Sequence, residues 1–117
     1  MKVLVRDTQG TSRWEKPACQ CETWIEHWDY NKMVSLRPSV CPVCGHRPTS
    51  MNPFVGGHVQ ITGYEIVDGY FLPDNDGRYY ITPICNSCNA RGGFTDIKID
   101  EDYLVSARRE DCCRYRG

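Results

Sequence analysis

Eight of the 117 residues are cysteine, and four of them form two matched Cys-x-x-Cys pairs. Cys41-Pro-Val-Cys44 is followed by Gly45, and Cys85-Asn-Ser-Cys88 supplies the second pair. Two thiolates two residues apart can chelate one ion within a tight turn, and a glycine after the second relieves the backbone there. Zinc takes four tetrahedral ligands, at about 2.3 Å from each sulfur, so two such pairs complete one closed shell. With no position left for water, one structural Zn2+ is predicted at Cys41, Cys44, Cys85 and Cys88. Two disulfides or a thioredoxin-like redox pair are the alternatives. Neither accounts for two matched pairs flanking a hairpin.

The other four cysteines form a possible second thiol cluster. Cys19 and Cys21 stand before the first predicted helix, and Cys112 and Cys113 near the C-terminus. Three readings stay open for them: buried free thiols, an end-to-end disulfide, or a second metal site, which is not expected because adjacent cysteines chelate awkwardly. His27 is a candidate extra ligand, with a solvent-facing helix position beside Glu26 as the ordinary expectation. His46 and Arg47 decorate the knuckle.

The elements that must position these residues are short. Lys2–Arg6 alternates and predicts a short edge strand, and 7–17 reads as loop. Thr23 followed by Glu26 fits a capping box, so a helix is predicted from about Thr23 to Asn31–Val34, before Pro38. Trp24, Ile25 and Trp28 form its apolar stripe and are expected in the core, packed onto the hairpin. Val59–Ile66 and Tyr79–Ile84 read as strands, with a turn at Pro73–Gly77 between them. That turn superficially resembles a calcium loop. Its twelfth position, counted from Asp74, is Cys85 rather than Glu, so a plain turn is expected. Asn86–Arg91 predicts one or two helical turns stopped by Gly92-Gly93. Phe94–Ile99 and Leu104–Val105 predict further strands. Knuckle, hairpin and a helix carrying the second pair follow in the order of a treble clef. The expected fold is a small α+β domain over residues 1–117, with its zinc core at about 41–91.

Composition narrows the function. The net charge is -1, which excludes a generally basic nucleic-acid coat. Yet no acid lies between Asp29 and Glu65 or between Asp76 and Asp96, and these windows hold Lys32, Arg37, Arg47, Arg78 and Arg91. Each window also contains one cysteine pair, so a mildly basic face is one expectation and chance segregation the other; Arg47 and Arg91 are the candidate phosphate contacts. No apolar run approaches a membrane span, and Val3–Val5 is too short for a secretory signal. A cytoplasmic location is expected, where cysteines favour metal over disulfides.

Cys41-Pro-Val-Cys44-Gly45, then Gly56-Gly57-His58-Val59, then Ile81 to Asn89 resembles the zinc-bearing HNH, or His-Me finger, nucleases. The resemblance covers about residues 41–91. It implies a treble-clef centre and makes His58 the match for the general base that activates water against a phosphodiester, beside a divalent ion. The chain departs from the pattern at three places. Gly57 stands where an acid or histidine precedes the base. Tyr79 and Tyr80 stand where the orienting asparagine falls, and Asn89 replaces a histidine ligand. The Cys21–Trp28, Gly56–Val59 and Pro83–Asn89 segments also resemble small bacterial and phage proteins, a likeness that spans nearly the whole chain and implies no activity.

The resulting expectation is a catalytically degenerate HNH-like zinc module that binds a macromolecule or small ligand, with His58 structural. Gly56-Gly57 before it predicts close backbone approach. A metal-dependent nuclease using His58, with Glu65, Asp74 or Asp76 as ligands, is the alternative. A phage or mobile-element protein that binds a host defence protein or its nucleotide signal is another.

Overall fold

The computed structural model describes residues 2–8, 23–66, 69–71 and 79–107. The strands are β1 (Lys2–Asp7), β2 (Phe54–Ile66), β3 (Gly69–Phe71), β4 (Tyr80–Cys85), β5 (Ile97–Asp100) and β6 (Val105–Ser106), and the helices are α1 (Trp24–Lys32) and α2 (Asn86–Arg91). The strands form one antiparallel sheet in the order β5-β1-β2-β4-β6, with β3 paired to β2. This is the α+β class expected. The predicted turn at Pro73–Gly77 lies outside the described residues.

The thirteen-residue β2 organises the sheet. Its Phe54–Val59 stretch pairs with β4, and its Val59–Tyr64 stretch with β1. It starts at Phe54, earlier than the predicted Val59. The glycines at 56 and 57, ordinarily poor strand residues, sit in the ladder opposite Pro83 and Thr82. Their place follows from what flanks them. A Cβ on Gly56 would lie 2.6 Å from the Trp24 backbone carbonyl carbon, and one on Gly57 would strike the Ile84 side chain. Successive strand residues point to opposite faces. The start of α1 therefore crosses one face of β2 at Gly56. Ile84 and Asn89, whose Oδ1 would lie 3.6 Å from a Gly57 Cβ, occupy the other.

Helix α1 begins as its capping signal requires: Thr23 accepts a hydrogen bond from the Glu26 amide at 3.2 Å. It ends at Lys32, where Met33 takes a φ of 91° and its amide closes on the Asp29 carbonyl. Helix α2 ends at Gly92, with a φ of 62° that suits glycine.

Three corrections concern burial and position. First, β1 is not an edge strand; it lies between β5 and β2. Val3 and Val5 are buried, as an inward face demands, but alternation alone does not reveal how many neighbours a strand has. Second, His27 is fully buried rather than solvent-facing. It stands three residues after Trp24, on the same helical face, and its Nε2–H donates to the Ser106 carbonyl at 2.8 Å. Third, Trp28 is fully buried against Ile81 and Val105, whereas Trp24 is only half-buried. The Trp28 indole N–H donates to the Tyr103 carbonyl at 2.9 Å, so two side chains fasten α1 to residues 103–106.

No helix among the described residues is long and apolar enough to cross a membrane.

Candidate metal centre

The cysteine pairs converge. The turn at 42–44 separates Cys41 from Cys44; the Gly45 amide closes it onto the Cys41 carbonyl at 2.7 Å, with Gly45 at φ 76°. The end of β4 places Cys85, and the first turn of α2 places Cys88. The antiparallel pairing sets Cys85 opposite Phe54, and the Asn86 amide donates to the Pro53 carbonyl at 2.8 Å. These contacts fix the start of α2 against the chain leaving the knuckle.

All four sulfurs lie within 4.8 Å of one another. Cys41, Cys85 and Cys88 are buried and Cys44 is partly exposed. The Cys44 and Cys85 sulfurs are 3.7 Å apart, too far for a disulfide at about 2.05 Å. A tetrahedron of thiolates around zinc has sulfur–sulfur edges of about 3.8 Å, given the usual Zn–S distance. The donor set therefore fits a thiophilic divalent metal.

Donors surround the cluster. The Cys85 amide points to the Cys41 sulfur at 3.4 Å. The Ser87 hydroxyl lies 3.4 Å from the Cys85 sulfur. The Arg91 guanidinium donates to the Cys88 sulfur at 3.3 Å. Ser87 is itself held: its amide donates to Asn52 Oδ1 at 2.8 Å and its oxygen accepts from Asn52 Nδ2 at 3.1 Å. That leaves the Ser87 hydrogen free to turn to sulfur. Asn52, Ser87 and the thiolate-facing role of Arg91 were not legible in the sequence. Asn52 lies 35 residues from Ser87, and only the β2–β4 pairing joins them.

Two of the thiols, Cys41 and Cys88, resist ionising. Burial, then the neighbouring thiols of Cys85 and Cys44, pushes Cys88 up to about 12, and burial also raises Cys41. Burial pushes Cys85 upward too, but the Ser87 hydroxyl and the Cys88 amide outweigh it and bring the thiol down to about 6. A dication held by the four sulfurs would offset that cost by supplying the opposing charge.

His58 is elsewhere. On β2 it faces α1, buried, with its ring edge-on to Trp24 at 4.5 Å between centroids. His27 meets the same indole at 5.5 Å. The Thr8 hydroxyl donates to the His58 carbonyl at 3.1 Å, just where β1 runs out. Burial lowers the His58 pKa to about 4; Asp7 opposes that shift and His27 adds to it. The Asp7 carboxylate accepts the Gly93 amide at 2.7 Å. Asn89, which occupies the resemblance's last ligand position, lies at the opposite face of β2 from His58.

The basic windows are partly neutralised. Arg37 makes a two-pronged pair with Asp29, at 2.9 and 2.6 Å, and Arg91 turns to Cys88. Arg47 and His46 are exposed. Cys19, Cys21, Cys112, Cys113, Asp74, Asp76 and Arg78 lie outside the described residues, as does the Glu65 side chain.

No protein-family model matches the chain, and no solved structure matches it. One curated relative is the probable glycine dehydrogenase (decarboxylating) subunit 2 of Pseudothermotoga lettingae, 30% identical over 82 residues. The match takes in 62% of this chain, and the chain spans 17% of that protein's length.

Proposed function

We propose that the chain is a non-catalytic zinc module of HNH-like, treble-clef build that binds a macromolecule. The observation that carries this is the convergence of Cys41, Cys44, Cys85 and Cys88, with four sulfurs inside 4.8 Å. Knuckle, long strand, returning strand and cysteine-bearing helix occur in treble-clef order. Zinc when bound would cross-link the knuckle to the β4–α2 junction and supply the charge that four clustered thiolates need.

The environment of His58 favours a structural imidazole over a general base. A base must reach water and phosphate. This ring is nine-tenths buried beneath Trp24, and Asn89 stands across the sheet from it. The exposed Arg47 beside the knuckle is the favoured phosphate contact. The shared stretch is a small part of the relative, so the decarboxylating activity in its name does not carry over to this chain.

Purified protein should carry one zinc per chain and shift labelled DNA or RNA in a gel at low salt. The shift should weaken in Arg47→Ala and fade as salt rises. Supercoiled plasmid should remain intact with magnesium, manganese or nickel. Metal-dependent nicking abolished by His58→Ala would replace this proposal with a nuclease. Failure to shift any nucleic acid would leave a protein partner as the macromolecule.

A further inference from the structure

The four cluster sulfurs are not equally protected. Cys41, Cys85 and Cys88 are buried, and each faces a donor: the Cys85 amide, the Ser87 hydroxyl and the Arg91 guanidinium. Cys44 is the partly exposed one, and its sulfur meets other cluster thiols, Cys85 at 3.7 Å and Cys88, where each of the other three also faces an amide, hydroxyl or guanidinium. A hydrogen bond to a metal-bound thiolate draws off electron density and lowers its nucleophilicity. Exposure and the fewest donors among the described residues therefore coincide at one sulfur.

Resting on the zinc reading, we infer that Cys44 is a peroxide-reactive site, with Cys85 as its resolving partner, and that its oxidation releases the metal. The Cys44 thiolate attacks one oxygen of hydrogen peroxide; the O–O bond breaks and hydroxide leaves, giving a sulfenic acid. The Cys85 thiolate then attacks the Cys44 sulfur. An S–S bond forms, the S–O bond breaks and a second hydroxide departs. Two thiolates have given two electrons to one peroxide. Two of the four ligands are now a disulfide, which holds zinc poorly, so the ion dissociates. The knuckle and the β4–α2 junction would exchange a reversible metal link for a reducible covalent one.

Peroxide below one equivalent is added to the zinc-loaded full chain. Zinc release is followed with a chromogenic chelator, and cysteine states are mapped by peptide mass spectrometry after trapping. Zinc content, measured before peroxide is added, tests the parent reading separately. The expected result is a Cys44–Cys85 disulfide that appears as fast as zinc leaves. Arg91→Ala, an exposed position outside the core, should raise oxidation at Cys88 about tenfold, the rate equivalent of one lost charge-assisted hydrogen bond. The inference fails if the first oxidised cluster cysteine is not Cys44, or if Arg91→Ala leaves the distribution unchanged. It also fails if only Cys19, Cys21, Cys112 and Cys113 oxidise while zinc stays bound.

Discussion

Two regions meet along β2 and are held by opposite chemistry. At its beginning, near Phe54, the knuckle and α2 gather four sulfurs around an apolar rim of Phe54 and Ile84, with Ile25 and Val43 packed against it. Further along, α1 lies over β4 and β6 by burying Trp28 on Ile81 and Val105 and by donating two side-chain hydrogen bonds to carbonyls. The first region draws together four sulfurs that could hold a metal ion. The second buries the His58 imidazole, whose pKa burial lowers, and is held by packing and by hydrogen bonds to carbonyls. A small domain has little apolar volume with which to build every corner as the second is built, and a metal can substitute where packing is thin.

The sharpest way to break the first region is to deny the four sulfurs a metal ion. Zinc in small finger domains contributes an apparent 10–16 kcal/mol, roughly as much as a small domain's whole stability. Chelation, or Cys85→Ser, should therefore abolish the cooperative thermal transition seen by circular dichroism. An unchanged melting temperature would show that the sulfurs do not hold the corner together.

Trp28→Ala attacks the second region. Emptying a fully buried indole should cost about 3–5 kcal/mol in urea unfolding while zinc content stays at one per chain. Loss of zinc in this variant would show that the two regions fold as one unit.

His58 sharpens the contrast through pH. Its folded pKa of about 4 lies below the ordinary 6.5, so the unfolded chain binds the proton first. Its contribution is whole above pH 6.5 and shrinks as pH falls from 6.5 toward 4, by up to about 3 kcal/mol. Denaturation curves at pH 7 and pH 4.5 should show a smaller pH-dependent loss in His58→Gln than in the parent. The difference between the two proteins isolates the imidazole from any effect of acid on the thiolates.

The smallest effect belongs to Thr82, which is buried on β4 with its hydroxyl lacking a hydrogen-bond partner. Thr82→Val replaces that hydroxyl with a methyl group. It should raise stability by about 1 kcal/mol, since the cost of an unsatisfied buried group is removed. A loss of stability would mean that the hydroxyl has a role in the fold.

Much of the metal corner was legible because its signals are local. Cys-x-x-Cys spacing, Gly45 after the first pair and Gly92 after α2 each act within a few residues. The same holds for Thr23 and Glu26, which mark the start of α1. What escaped depends on contacts distant in sequence. Alternation in Lys2–Asp7 announced a strand but not its central place, which comes from pairing with both β2 and β5. Burial of His27 was within reach, because it shares a face with Trp24, but its polar type suggested solvent. The carbonyl that satisfies it belongs to Ser106, 79 residues away. The Asn52–Ser87 link is similarly remote and leaves no local signature.

The central claim is that the four sulfurs hold one metal ion. The direct measurement is cobalt substitution of the purified chain, read by absorption and by metal stoichiometry. One ion per chain, with the intense sulfur-to-metal charge-transfer and d–d bands of a tetrahedral four-thiolate site, is the result expected, and Cys41→Ser should erase those bands. Substoichiometric binding, octahedral-type spectra, or bands that persist in Cys41→Ser would contradict it.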